Sequence, residues 1–230
     1  MTVNVYILLD RSGSMQSRWE EALGTINGYV AELAKAGHEG AVTCACFDNA
    51  WLAGAIAPSV SSIASCTFEV LRQAVRPQDW KPLSNEDASP RGGTPLYDAI
   101  GRINGLASAD VNPKGVIVIM TDGEENASRE VTQHGAKAML DQQRQRGWSI
   151  VQLGVEFDAY KQAHGLGTHT ASTMTLGKGG MRKGFVAETL SHETVSYSSG
   201  ATMDMAFSAA DKARAAEPDD NLTKAKAARP

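Results

Sequence analysis

No apolar run in this 230-residue chain approaches the ~20 residues that cross a bilayer. Its opening stretch, Val3-Asn4-Val5-Tyr6-Ile7-Leu8-Leu9, is too short to hold a secretion-signal core together with a cleavage site. A cytoplasmic protein is therefore expected, with no membrane partner. Cysteine is scarce, and its three copies, Cys44, Cys46 and Cys66, are an odd number. Cys44 and Cys46 lie two apart in an expected strand, so both side chains face the same way and do not bridge readily. They read as small buried hydrophobes in a reducing compartment. Neither the cysteines nor the scattered histidines (His38, His134, His164, His169 and His192) show zinc-site or metalloprotease spacing. An excess of positive charge is missing too. With 22 Lys and Arg against 26 Asp and Glu, and no basic stripe, nucleic acid is not an expected partner.

What is present is an ordinary globular balance, 42% hydrophobic and 21% charged, with enough apolar material for a full core. Val3 to Leu9 reads as a central strand buried on both faces and ends at Asp10. Trp19, Leu23, Ile26, Val30 and Leu33 recur at helical spacing, with Gly37 placed to end the helix. Ala41 to Phe47 and Trp51 to Ala57 predict a hairpin around Asp48-Asn49 at a sheet edge. The stretch from Pro58 to Pro90 carries no clear period and predicts a wandering loop after a short strand or helix. Thr94-Pro95 resembles a helix start with Thr as cap. Val116 to Met120 and Ser149 to Val155 read as further buried strands, with a helix from about Arg129 to Arg146 between them. A short helix near Asp158 to His164, a strand near Ala171 to Leu176 and a helix from about Gly180 to Val195 follow. Such alternation implies an α/β fold with a mostly parallel sheet covered by helices on both faces. Residues 199–230, rich in alanine and mixed charge, predict a partly helical or disordered tail after a domain spanning 1–198.

Three separated segments carry the chemistry. Asp10-Arg11-Ser12-Gly13-Ser14 follows the first buried strand, Gly92-Gly93-Thr94-Pro95 precedes a helix, and Thr121-Asp122-Gly123 follows another buried strand. Ligands of open parallel sheets gather beyond the carboxyl ends of the strands, where two of these segments lie. The side chains of Asp10, Ser12, Ser14, Thr94 and Asp122 all offer oxygen, which suits a hard cation such as Mg²⁺, with Mn²⁺ or Ca²⁺ as substitutes. Gly13 gives the first loop the freedom to turn both serines toward one point. An ion held mainly by hydroxyls keeps much of its charge and attracts an anionic oxygen, for which an Asp or Glu of a partner protein is the natural source. No nucleophile with a base beside it is evident, so a binding role is expected and not an enzyme.

These segments resemble the von Willebrand factor A family with its metal-ion-dependent adhesion site, written as an Asp-x-Ser-x-Ser loop, a distant Thr and a distant Asp. The stretches Gly-Thr-Pro-Leu-Tyr-Asp-Ala, 93–99, and Thr-Asp-Gly-Glu-Glu-Asn, 121–126, look like bacterial and phage members. The resemblance covers roughly residues 3–198. It implies a Rossmann-like doubly wound sheet, metal-mediated protein binding and, for a phage member, the host cytoplasm or the virion.

Single residues have simpler readings. Asp48 shapes the hairpin turn, Asp98 is a surface or packing residue favourable to its helix dipole, and Glu124 and Glu125 are solvated carboxylates near the next helix start. Gly177-Lys178-Gly179-Gly180 lacks the phosphate-loop pattern and reads as a flexible connection. Two other functions are compatible with the motif: a hydrolase using the same ion as a Lewis acid, and an assembly component with a vestigial site.

Overall fold

The computed structural model describes residues 2–49, 66–155, 159–177 and 184–217. In chain order these form β1 (Asn4–Asp10), α1 (Trp19–Lys35), β2 (Val42–Asp48), β3 (Thr67–Val75), α2 (Leu96–Ser108), β4 (Gly115–Thr121), α3 (Gln133–Gln145), β5 (Ser149–Val155), α4 (Ala159–Gly165), β6 (Thr173–Leu176), α5 (Phe185–Ser199) and α6 (Ala209–Ala216). The six strands make one sheet in the order β3-β2-β1-β4-β5-β6. All neighbours run parallel except β2 and β3.

The apolar runs of β1 and β4 are continuous because each face of the sheet is covered. Val5, Ile7 and Leu9 alternate with Leu8, and Val116, Val118 and Met120 alternate with Ile117 and Ile119. One set packs beneath α1 and α5, the other beneath α2 and α3. The helical spacing in α1 is realised, with Trp19, Leu23, Ile26, Val30 and Leu33 all buried. Gly37 just beyond it has φ +67°, a left-handed turn that glycine adopts without steric cost.

The antiparallel edge strand is not where the sequence suggested. The neighbour of β2 is Thr67–Val75, inside the stretch expected to wander, while Trp51 to Ala57 lies outside the described residues. As an edge strand β3 is half-buried to exposed along its length, so its residues lack the period that marks a buried element. The chain after it is pinned to α1: the Asn27 carboxamide accepts from Leu83 N at 2.7 Å and donates to Leu83 O at 2.9 Å.

Two helix starts also differ. α2 begins at Leu96 with Pro95 in the capping position and no side-chain cap, because Thr94 is turned elsewhere. α3 begins at Gln133, where Thr132 accepts from Gly135 N at 3.1 Å. The residues expected to open α3, Arg129 to Val131, give their N–H groups to the Asp98 carboxylate at 2.7–2.9 Å instead. Beyond α5, Met205 and Phe207 are buried, and Gly177 N donates to Ala215 O at 3.0 Å, so the segment through Ala216 lies against β6. Ser208 and Asp211 form a capping box at the start of α6.

Candidate metal centre

β1 and β4 are adjacent and in register, Leu9 opposite Met120, so Asp10 and Thr121 emerge together at the carboxyl edge of the sheet. Thr121 Oγ1 donates to Asp10 Oδ2 at 2.6 Å and Ser12 N donates to Asp10 Oδ1 at 2.7 Å. Asp10 has no exposed surface. Burial pushes its carboxyl up to about 6, against the pull of those two hydrogen bonds, and the Asp122 charge adds to the rise. The next segment closes on the first: Ser14 Oγ donates to Asp122 Oδ1 at 2.7 Å, and the Ser12 and Ser14 hydroxyl oxygens are 3.0 Å apart.

The third segment is drawn in by its backbone. Gly13 N donates to Gly92 O at 2.9 Å and Arg91 N to Arg11 O at 2.7 Å. Gly92 takes φ +68°, and a β-carbon on Gly93 would come within 2.9 Å of Asn126 Oδ1 and 3.1 Å of Asn49 Oδ1. Thr94 is then held from both sides by Asn126, which accepts from Thr94 N at 2.9 Å and donates its own N–H to Thr94 O at 3.1 Å. The result converges over Gly123. A β-carbon placed there would lie 3.4 Å from Ser14 Oγ and 3.4 Å from Thr94 Oγ1. All five oxygen-bearing residues singled out in the sequence therefore stand around one point at the end of β1 and β4.

Sequence reasoning missed the residues that hold this arrangement. Asp48 is fully buried at the end of β2 and accepts from Arg11 Nε at 2.5 Å and Arg91 Nε at 3.2 Å, so it ties two loops of the centre together; the hairpin expected to follow it lies outside the described residues. Arg11 reaches on to Glu69 Oε2 at 2.9 Å. Asp98 is buried, and through its three backbone donors it fixes the chain after Asp122 to α2. Glu125 is no solvated carboxylate. It accepts from Ala127 N, Ser128 N and Ser128 Oγ at 2.7–2.9 Å and from Tyr97 N at 3.1 Å, satisfying an open donor at the start of α2. Partners separated by 28–43 positions leave no local signal in the sequence. The Asp48-Asn49 pair at the end of β2 was the available hint.

The donor set fits a hard divalent ion. It consists of oxygen alone, and a cation there would relieve the repulsion between Asp10 and Asp122. Among the described residues no group of three or more His, Cys, Asp or Glu is placed to hold a metal, so any ion at this centre depends on the hydroxyls.

No family model and no curated protein matches the chain. Solved structures do. The vWF domain of the type V pili tip protein Mfa5 from Porphyromonas gingivalis superposes with a TM-score of 0.58 at 11% identity, covering 87% of this chain and 96% of that one. The SpRpn10 VWA domain gives 0.54 at 14% identity, covering 76% and 87%. The manganese-loaded TRAP protein of Plasmodium vivax gives 0.54 at 15% identity, covering 76% and 68%. In other matched chains this one spans under half the length, 46% in one and 30% in another. At these identities the likeness establishes the fold, which is that of a von Willebrand A-type domain.

Proposed function

We propose that the chain is a protein-binding module in which a Mg²⁺-like ion, held by Asp10, Ser12, Ser14, Thr94 and Asp122, captures an acidic residue of a partner protein. The single observation that carries this reading is the meeting of the Ser14 and Thr94 hydroxyls over Gly123, with Asp122 bonded to Ser14 at 2.7 Å. When bound, the ion supplies a positive centre for a carboxylate oxygen. The chain's residues do the rest. Thr121 and Ser12 N orient Asp10, Asn126 fixes Thr94, and Asp48 keeps the first two loops in register. That the TRAP protein, a structure of similar fold, is manganese-loaded supports the reading.

The test is capture from a lysate by the immobilised chain in Mg²⁺ and again in chelator, with Asp122→Ala alongside. The expected result is a partner retained only with Mg²⁺ and lost with the variant. Equal retention in chelator and by Asp122→Ala would contradict metal capture.

A further inference from the structure

The three loops that meet at the candidate metal centre carry their charges unevenly. In residues 10–14, 91–95 and 121–126 the acids are Asp10, Asp122, Glu124 and Glu125, and the bases are Arg11 and Arg91. Arg11 is 3% exposed and spends its Nε on Asp48 and its Nη1 on Glu69. Arg91 is therefore the basic side chain that these loops present to solvent, with 48% of it exposed.

Its backbone belongs to the centre. Arg91 N donates to Arg11 O at 2.7 Å, and the next carbonyl, Gly92 O, accepts from Gly13 N at 2.9 Å. The side chain turns toward β2, where Nε donates to Asp48 Oδ2 at 3.2 Å. Arg11 Nε lies closer to that oxygen, at 2.5 Å, so two guanidiniums share one carboxylate and Arg91 keeps positive charge facing solvent. The N–H groups of its Nη1 and Nη2 have no partner among the described residues, which leaves a fork open for a planar anion.

Distance decides how that anion relates to the ion. Asp10 stands opposite Phe47 on the neighbouring strand, and Asp48 is the next residue. With strands about 5 Å apart, the guanidinium resting on Asp48 lies on the order of 10 Å from the oxygens that meet over Gly123. At ~3.3 Å per residue, about three residues of extended chain span that gap.

We infer that Arg91 is a specificity-determining residue of the metal centre and receives a second carboxylate of the partner. The recognised feature is then a pair of acidic residues about three positions apart, one for the ion and one for the guanidinium. The inference rests on the metal-capture reading.

The test titrates ¹⁵N-labelled chain, with and without Mg²⁺, with the diacid N-acetyl-Asp-Gly-Gly-Asp amide and the monoacid N-acetyl-Asp-Gly-Gly-Asn amide. Both should bind only with Mg²⁺, the diacid about fourfold to tenfold more tightly. In Arg91→Gln the advantage should shrink to about twofold, the statistical gain of carrying two acids. A merely structural role for Arg91 would weaken both peptides alike and leave their ratio unchanged. The parent gives a second readout that needs no variant: the diacid should shift the Arg91 Nε–H signal and the monoacid should not. A parent advantage within about twofold, an unchanged ratio in Arg91→Gln, or an Arg91 signal that answers both peptides alike would each overturn the inference. Each of those outcomes leaves metal capture standing. Peptide binding that is absent, or indifferent to Mg²⁺, sinks metal capture and this inference with it.

Discussion

Replacing Asp48 by Asn probes the buried ion pair that ties two loops of the centre together. Asp48 has no exposed surface and receives Arg11 Nε at 2.5 Å and Arg91 Nε at 3.2 Å. Arg11 is itself buried, and its Nη2 has no hydrogen-bond partner among the described residues, so without Asp48 it keeps only Glu69, whose side chain is 52% exposed. Removing one member of a buried pair costs about 3–5 kcal/mol. Glu69 remains and Arg91 is half in solvent, which favours the lower end, about 3 kcal/mol. With a urea m-value of about 2–3 kcal/mol/M, the unfolding midpoint should fall by about 1–1.5 M. Urea titration followed by circular dichroism measures the shift. The Arg11→Met/Asp48→Asn double variant leaves neither charge buried and should recover at least half the loss. A shift under about 0.3 M in Asp48→Asn, or a double variant that sums the two single losses, would refute the reasoning.

Gly123→Ala places a methyl at ordinary contact distance, 3.4 Å, from both Ser14 Oγ and Thr94 Oγ1. Stability should change by less than about 1 kcal/mol while Mg²⁺ affinity falls about tenfold or more, read by thermal melts and calorimetric titration. Phe207→Ala empties a buried site where the chain beyond α5 meets the turn leading into β6, and should destabilise by about 3–5 kcal/mol in the same urea assay; a negligible loss would detach that segment from the core. His38 is buried against Val3 O, and burial holds its imidazole below the ordinary 6.5. A lowered folded value means its neutral form stabilises the fold above pH 6.5, and that contribution is lost as pH falls through the folded value. Unfolding free energies of the parent and His38→Gln at pH 7.5 and 5.5 should converge or cross on the acid side; a constant gap would exclude the effect.

The sheet was legible because β1 and β4 are buried on both faces, which writes near-continuous apolar runs into the sequence, and β5 keeps most of one despite its buried Gln152. α1 was legible because one of its faces packs on that sheet. The edge strand β3 was not, since a strand open on one side carries Glu69, Arg72 and Gln73 without penalty. The start of α3 was misplaced because Arg129 to Val131 spend their N–H groups on Asp98, a partner on another helix that local capping rules do not see. At the candidate centre the oxygen donors announced themselves by residue type, four at or just beyond strand ends and Thr94 just before a helix, and the structure brings all of them together. The residues that orient them, Asp48, Asp98, Glu125 and Asn126, act across 28–43 positions or through backbone groups, where type and spacing carry no message. The role of Asn126 in clasping Thr94 belongs to that second kind.

The central claim is that five oxygen-bearing side chains hold one divalent ion. Calorimetric titration of Mn²⁺ into the chain and into Thr94→Val tests it most directly, because valine keeps the shape of the buried Thr94 and removes only its hydroxyl. One ion bound per parent chain, with affinity lost in a variant that still folds, is the predicted result. No heat of binding in the parent, or equal binding by Thr94→Val, would contradict it.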